Sequence, residues 1–218
     1  MNEKIVVKQG RINMDKAIFD KVYNAKDHEI LMDAYKDWAG KYDSDLAEEG
    51  YVAPAASAAV LDNYLEDKNA YILDAGCGTG LVGELLAKAG YKNQDALDYS
   101  KEMLDEAAKK GVYKKLLQAD MTKPLEIADD TYDAIICVGT FTYGHVGPDA
   151  FGELIRVTRN GGYICFTVRE GAYEEHDYRK HMLKLEGKGC WELEELREAD
   201  YIKGDNVTCK VCLYRVAK

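Results

Sequence analysis

The chain has 218 residues, with 29 Lys or Arg against 39 Asp or Glu for a net charge of −10, which predicts one α/β domain able to bury its own core. Hydrophobic residues at 47% and charged residues at 31% exclude wholesale disorder. The acidic balance, without a dense Lys/Arg stretch, excludes the commonest kind of nucleic-acid binder, and neither a membrane-length apolar run nor the apolar core of a signal peptide is present.

In chain order, the first 26 residues are polar and weakly periodic and predict an arm or loosely packed cap. Ile30, Leu31, Ala34 and Trp38 recur at helical spacing. Tyr35, Trp38 and Tyr42, at i, i+3 and i+7, share one face if that helix runs on through residue 43. Read as a lid, this segment divides the chain into an N-terminal arm and lid helix at 1–43 and a domain at 44–218. YILDA (71–75) predicts a buried strand ending in glycines, and Leu81, Val82, Leu85, Leu86 and Ala89 one face of a helix. QDALDYS (94–100) is a second strand and turn, followed by a helix through Met103, Leu104, Ala107 and Ala108 with Ser100 as its N-cap. Residues 115–119 predict a third strand and YDAIICVGTF (132–141) a fourth. Pro148 opens a helix through Phe151, Leu154 and Ile155, closed by the turn Asn160-Gly161-Gly162. A fifth strand at 162–168, a helix at 173–185 and two strands around 191–201 and 207–216 complete the chain.

Strand and helix in alternation predict a doubly wound, mostly parallel, seven-stranded α/β sheet. The last two strands, separated only by a tight turn, must run antiparallel. Such a sheet binds ligands beyond the carboxyl ends of its strands. The six cysteines lie mostly in apolar segments as small hydrophobes, which suits the reducing cytosol. Cys209 and Cys212 form a CxxC within a strand that points the thiols to opposite faces, and no partner set at zinc spacing accompanies them. The expectation is a cytoplasmic protein with no metal, no nucleic-acid partner and no membrane association.

The chemistry concentrates at Asp74-Ala75-Gly76-Cys77-Gly78-Thr79-Gly80, between a strand and a helix. Alternate glycines let the backbone turn and approach a ligand without Cβ clashes, while the helix aims free N–H groups into the same space. Read one glycine along, Gly78 to Gly83 also spells GxGxxG, so the loop alone admits a nicotinamide dinucleotide or S-adenosylmethionine. Asp98, at the end of the second strand, can accept both ribose hydroxyls of either cofactor. Asp120, after the third strand, can accept an adenine amine, with Met103 and Met121 against the faces of the ring.

Asp74–Gly80, LDYS at 97–100, QADM at 118–121, YDAIICVGTF at 132–141 and ELIRVTRNGG at 153–162 resemble the ordered motifs of class I S-adenosylmethionine-dependent methyltransferases. YKDWAGKYD (35–43) resembles their aromatic entry helix. GTGLVGELL, GVYKKLLQADM and GGYICFTVRE are most similar to the methyltransferase-like protein family of the Williams–Beuren syndrome region. Two residues depart from the usual pattern: Lys36 before the entry tryptophan and Asn160 before Gly161-Gly162. The resemblance implies a Rossmann-like fold and S-adenosylmethionine as cofactor, with S-adenosylhomocysteine as product. By it, Gly76, Cys77, Gly78, Thr79 and Gly80 line the methionine half and Asp74 holds its ammonium. Asp98 and Tyr99 serve the ribose, Met103, Asp120 and Met121 the adenine. Val138 and Gly139, with the residues on to Phe141, pass beside the sulfonium, under Tyr35, Trp38 and Tyr42.

Methyl transfer needs mainly alignment and exclusion of water. Tyr42, Tyr143, His145 and Arg169, or Glu170 beside it, are the catalytic candidates near the mouth, His145 as a base near neutral pH and Arg169 as partner of a substrate carboxylate. A short-chain oxidoreductase would need a Tyr-x-x-x-Lys pair after the fourth strand; Tyr64…Lys68 and Tyr214…Lys218 are both misplaced. A catalytically silent cofactor-binding or scaffold protein is the other alternative. The expected acceptor is a small molecule, with a protein acceptor also compatible.

Overall fold

The computed structural model describes residues 28–142, 146–203 and 207–218. The apolar runs become strands β1 (Tyr71–Ala75), β2 (Asn93–Asp98), β3 (Lys115–Gln118), β4 (Tyr132–Phe141), β5 (Thr158–Arg169), β6 (Trp191–Ile202) and β7 (Val207–Val216). They form one sheet in the order β3-β2-β1-β4-β5-β7-β6. β1 to β5 pair in parallel, and β7 runs antiparallel to both β5 and β6. This is the expected mostly parallel α/β sheet with its antiparallel C-terminal pair. The chain works outward from β1 to β3 and re-enters beside β1 at β4, which puts the switch point, and a crevice, above the carboxyl ends of β1 and β4.

The chain enters through α1 (His28–Trp38) and α2 (Tyr42–Glu49). The continuous entry helix expected through residue 43 is therefore two helices, and the expected division at residue 43 falls inside the second. Gly40 sits in the break, where a residue without Cβ weakens any helix that tries to continue. Asp43 and Asp45 in the first turn of α2 favour a fresh N-terminus there.

One face of the sheet carries α3 (Ala53–Tyr64), α4 (Leu81–Lys88) and α5 (Lys101–Lys109). Nothing in the apolar spacing announces α3: APAASAAVLDNY is nearly all small. Pro54 starts it and alanines favour it. Its small side chains bring Ala53, Ala58, Val60 and Leu61 into the core with Ile72, Ile136 and Val211. Ser100 caps α5 as expected, its hydroxyl accepting from the Met103 N–H at 3.2 Å.

The other face carries α6 (Phe151–Val157), α7 (Glu170–Glu175) and α8 (Tyr178–Gly187) over a core of Phe141, Phe166, Trp191 and Tyr214. The single helix expected at 173–185 is two, broken at Asp177, whose φ of 56° is left-handed; Asp tolerates that region better than most residues. The break swings Tyr178 inward, where its ring lies 5.9 Å from that of Phe141. Asn160-Gly161-Gly162 does not end a helix before β5 but bulges within β5, between the Tyr132↔Thr158 and Ala134↔Tyr163 pairs. Gly162 is needed there, because a Cβ would stand 2.6 Å from the Asp133 carbonyl oxygen. Cys209 and Cys212 lie in the cores of opposite faces, as strand alternation requires.

Candidate active site

The turn after β1 is fixed by the end of β2: the Gly76 and Cys77 N–H groups donate to the Leu97 carbonyl at 2.7 and 3.0 Å. Gly76 takes a φ of +72°, and a Cβ on it would stand 2.2 Å from the Thr140 hydroxyl, so β1 and β4 meet here as backbone against side chain. Asp98, the last residue of β2, receives the Gly78 N–H on one carboxylate oxygen and the Ser100 N–H on the other, each at 2.8 Å. Burial pushes its carboxyl up, and the N–H donors of Ser100 and Gly78 act against that.

These ends enclose a cavity of about 100 Å³. Gly76 and Gly78 line it from β1, Asp98, Tyr99, Ser100 and Met103 from β2, and Ala119, Asp120 and Met121 from β3. Val138, Gly139 and Thr140 close it from β4, Val146 lies beyond, and Tyr35 and Tyr42 cover it. The sequence-derived set thus converges in large part, and among the described residues no Lys or Arg lines the cavity.

Other expected residues sit elsewhere. Trp38 is buried behind Tyr42, ring centroids 4.7 Å apart, and donates from Nε1 to Asp45 at 2.8 Å. Cys77 and Thr79 face a smaller neighbouring cavity of about 40 Å³, which shares Tyr42, Gly76, Gly78 and Val138 with the first. Arg169 closes β5 opposite Cys209 and lines neither cavity. Tyr143 and His145 lie outside the described residues.

Asp74 lies beneath the glycine turn. One of its carboxylate oxygens accepts from the Tyr113 hydroxyl at 2.5 Å, and the other has no partner among the described residues. Burial pushes this carboxyl up to about 7, against the Tyr113 hydrogen bond and with the nearby Asp98 charge adding to it. A carboxyl easier to ionise unfolded than folded takes stability away as pH rises from about 4 to about 7, by up to about 4 kcal/mol. The Asp74→Asn variant is therefore expected to gain on the natural chain in urea unfolding as pH rises from about 4 to about 7. Parallel stability profiles would show that Asp74 titrates normally.

Tyr113, which no sequence signal singled out, decides between the two readings of the glycine run. A Cβ on Gly83 would stand 2.2 Å from its hydroxyl, and one on Gly80 3.0 Å from its ring. Tyr113 thus stands over the second glycine of the GxGxxG reading, where a dinucleotide pyrophosphate would need close backbone approach, and packs closely against the third. The lining suits a cationic sulfonium nucleoside instead, with acids at Asp98 and Asp120 and with Met103, Met121 and Val138 as apolar walls; Asp74, with its spare acceptor, lies buried beneath the turn and lines neither cavity.

Comparison with known proteins gives the same direction. Residues 73–166 match the family model described as a methyltransferase domain. The human methyltransferase-like protein 27 is 35% identical over 165 residues, 72% of this chain and 66% of that protein. The malonyl-[acyl-carrier protein] O-methyltransferase of Pectobacterium atrosepticum is 39% identical over 107 residues, 48% of this chain and 41% of that protein. The match thus spans just under two thirds of the first relative and less than half of the second. Among solved structures, the complex of the Haloferax volcanii Trm112 methyltransferase activator with a methyltransferase superposes with a TM-score of 0.65 at 16% identity, covering 84% of this chain and 98% of that one.

Proposed function

We propose that this chain, which carries a class I S-adenosylmethionine-dependent methyltransferase domain, transfers a methyl group in line to the nucleophile of a small-molecule acceptor. The observation that carries the reading is Asp98: a carboxylate at the switch point, tied to the glycine turn and open to a cavity that, among the described residues, holds acids and no Lys or Arg. When bound, S-adenosylmethionine supplies a methyl group already activated on positive sulfur. Asp98 holds the ribose hydroxyls, Met103 and Met121 enclose the adenine, and Asp120 accepts its amine. Gly76 and Gly78 let the methionine half lie close to the backbone, and Asp74 meets its ammonium directly or through water. Val138 and Gly139 flank the reacting carbon, and Tyr35 and Tyr42, backed by Trp38, cover it against water. Tyr42, which lines the cavity from the cover, contacts the acceptor. The cationic centre needs no basic anchor, which agrees with the lining.

A small-molecule acceptor is favoured by the net charge of −10 and by a cavity lining that, among the described residues, offers no Lys or Arg to a polyphosphate chain. Among the described residues no helix is long and apolar enough to cross a membrane. Five of the six cysteines are buried as small apolar side chains, which suits the reducing cytosol. Calorimetric titration is expected to show S-adenosylhomocysteine binding that NADH does not compete with, and tighter NADH binding overturns the cofactor reading. With methyl-labelled cofactor, label is expected in a metabolite panel. Label in protein or RNA alone refutes the small-molecule acceptor, and binding without transfer to any acceptor identifies a silent cofactor-binding protein.

A further inference from the structure

The aromatic cover over the cavity is joined to the cavity floor by a polar bridge from the last residue of the entry segment to the glycine turn and to Lys110. Asp43 follows Tyr42, which lines the cavity, and Thr79 follows Gly78, which lines it from below. One Asp43 oxygen accepts from the Thr79 hydroxyl, and the other takes Lys110 Nζ at 2.6 Å. Lys110 also pairs with Glu84 of α4 at 2.7 Å. This is not a typical surface pair: the Lys110 side chain is 13% exposed, so it is less screened than one in open water. Among the described residues the apolar attachment of the cover is a cluster of Ala34, Trp38 and Leu46 with Tyr35, Tyr42, Tyr51 and Leu81 packed against it, Tyr51 also touching one of the two cores that flank the sheet. The Asp43 bridge adds to that apolar contact a direct polar tie from the cover to the glycine turn.

We propose that Asp43 is a positioning residue that holds the aromatic cover closed over the bound cofactor by bridging Thr79 of the glycine turn and Lys110. The proposal rests on the cofactor reading of the cavity. Opening the cover requires breaking the bridge, so the bridge sets how fast the cofactor or its product leaves. Because half of it is ionic, salt speeds that release; because the other half is a hydrogen bond to Thr79, an amide in place of the carboxylate preserves part of the hold.

The test is stopped-flow displacement of S-adenosylhomocysteine from the full chain, followed by tryptophan fluorescence. Trp38 stacks edge-on against Tyr42 and reports the cover. Release is expected to quicken about tenfold or more in Asp43→Ala, as for the loss of a charge-assisted hydrogen bond, and by less in Asp43→Asn. Raising NaCl from about 0.05 to 0.5 M, which shrinks the Debye length from more than about 10 Å to under about 5 Å, is expected to speed release from the natural chain and leave Asp43→Asn unchanged. Salt-independent release from the natural chain, which needs no variant to fold, overturns the clamp; so does equal release from all three proteins. Failure of the natural chain to bind S-adenosylhomocysteine at all overturns the cofactor reading and takes the clamp with it, a result distinct from normal binding with unaltered release.

Discussion

Asp98→Ala is expected to weaken S-adenosylhomocysteine binding by about two to four orders of magnitude, and Asp120→Ala by only about tenfold. An ionised carboxylate offers about four lone-pair sites. Asp98 spends two of them on the N–H groups of Gly78 and Ser100, leaving two for the ribose hydroxyls. Charge-assisted bonds of about 1.5–3 kcal/mol each account for the larger loss. Truncation also frees the Gly78 N–H and slackens the turn that cradles the methionine half, so the two effects reinforce each other. Asp120 is differently placed. It already accepts from the Thr122 N–H at 2.9 Å and hydroxyl at 2.6 Å and pairs with Lys123 at 3.1 Å. Burial acts to raise its carboxyl, but the bonds from Thr122 and Lys123 hold it below the ordinary range. One further bond to a neutral amine is what it has left to offer. Calorimetry on both variants, with circular dichroism as the folding control, checks the order; equal or reversed losses would show that the roles of the two acids are misassigned.

The contrast between these acids also shows what the sequence makes legible. Asp98 and the glycines could be read because strand ends and glycine turns are local: an apolar run, a turn and a helical face announce the crevice before any tertiary contact forms. The strands survive almost unaltered for the same reason. Helix α3 stays hidden because its apolar face is made of alanines, which fit a tight gap but leave no periodic contrast. The split of the entry segment and the kink at Asp177 depend on where Tyr42 and Tyr178 must point, which is decided by packing. Tyr113 and the Asp43–Thr79–Lys110 bridge join residues 39, 36 and 67 positions apart; they belong to the folded surface alone.

Removing residues 1–41 is expected to leave a folded domain that binds S-adenosylhomocysteine about ten to a hundredfold more weakly and turns over little. A cut at 41 keeps α2 whole, and with it Tyr42 and Asp43, whereas a cut at 43 would sever the helix within its first turn. Folding should survive because, among the described residues, both main cores draw only on residues from Tyr51 onward, while Trp38 and Ala34 pack in a separate cluster with Leu46. Removing α1 uncovers Leu46 and the outer side of Tyr42, a local loss. Binding should fall because Tyr35 leaves the cavity wall and Tyr42 loses the Trp38 ring that backs it. Water then reaches the cationic centre and the carboxylates around it, and interactions that are strong in a dry site weaken toward their values in water. A truncated chain that cannot fold assigns the aromatic cluster to the core. One that folds and binds as tightly as the full chain removes α1 from the site, and the cover over the reacting carbon is then α2 alone, held down by Asp43.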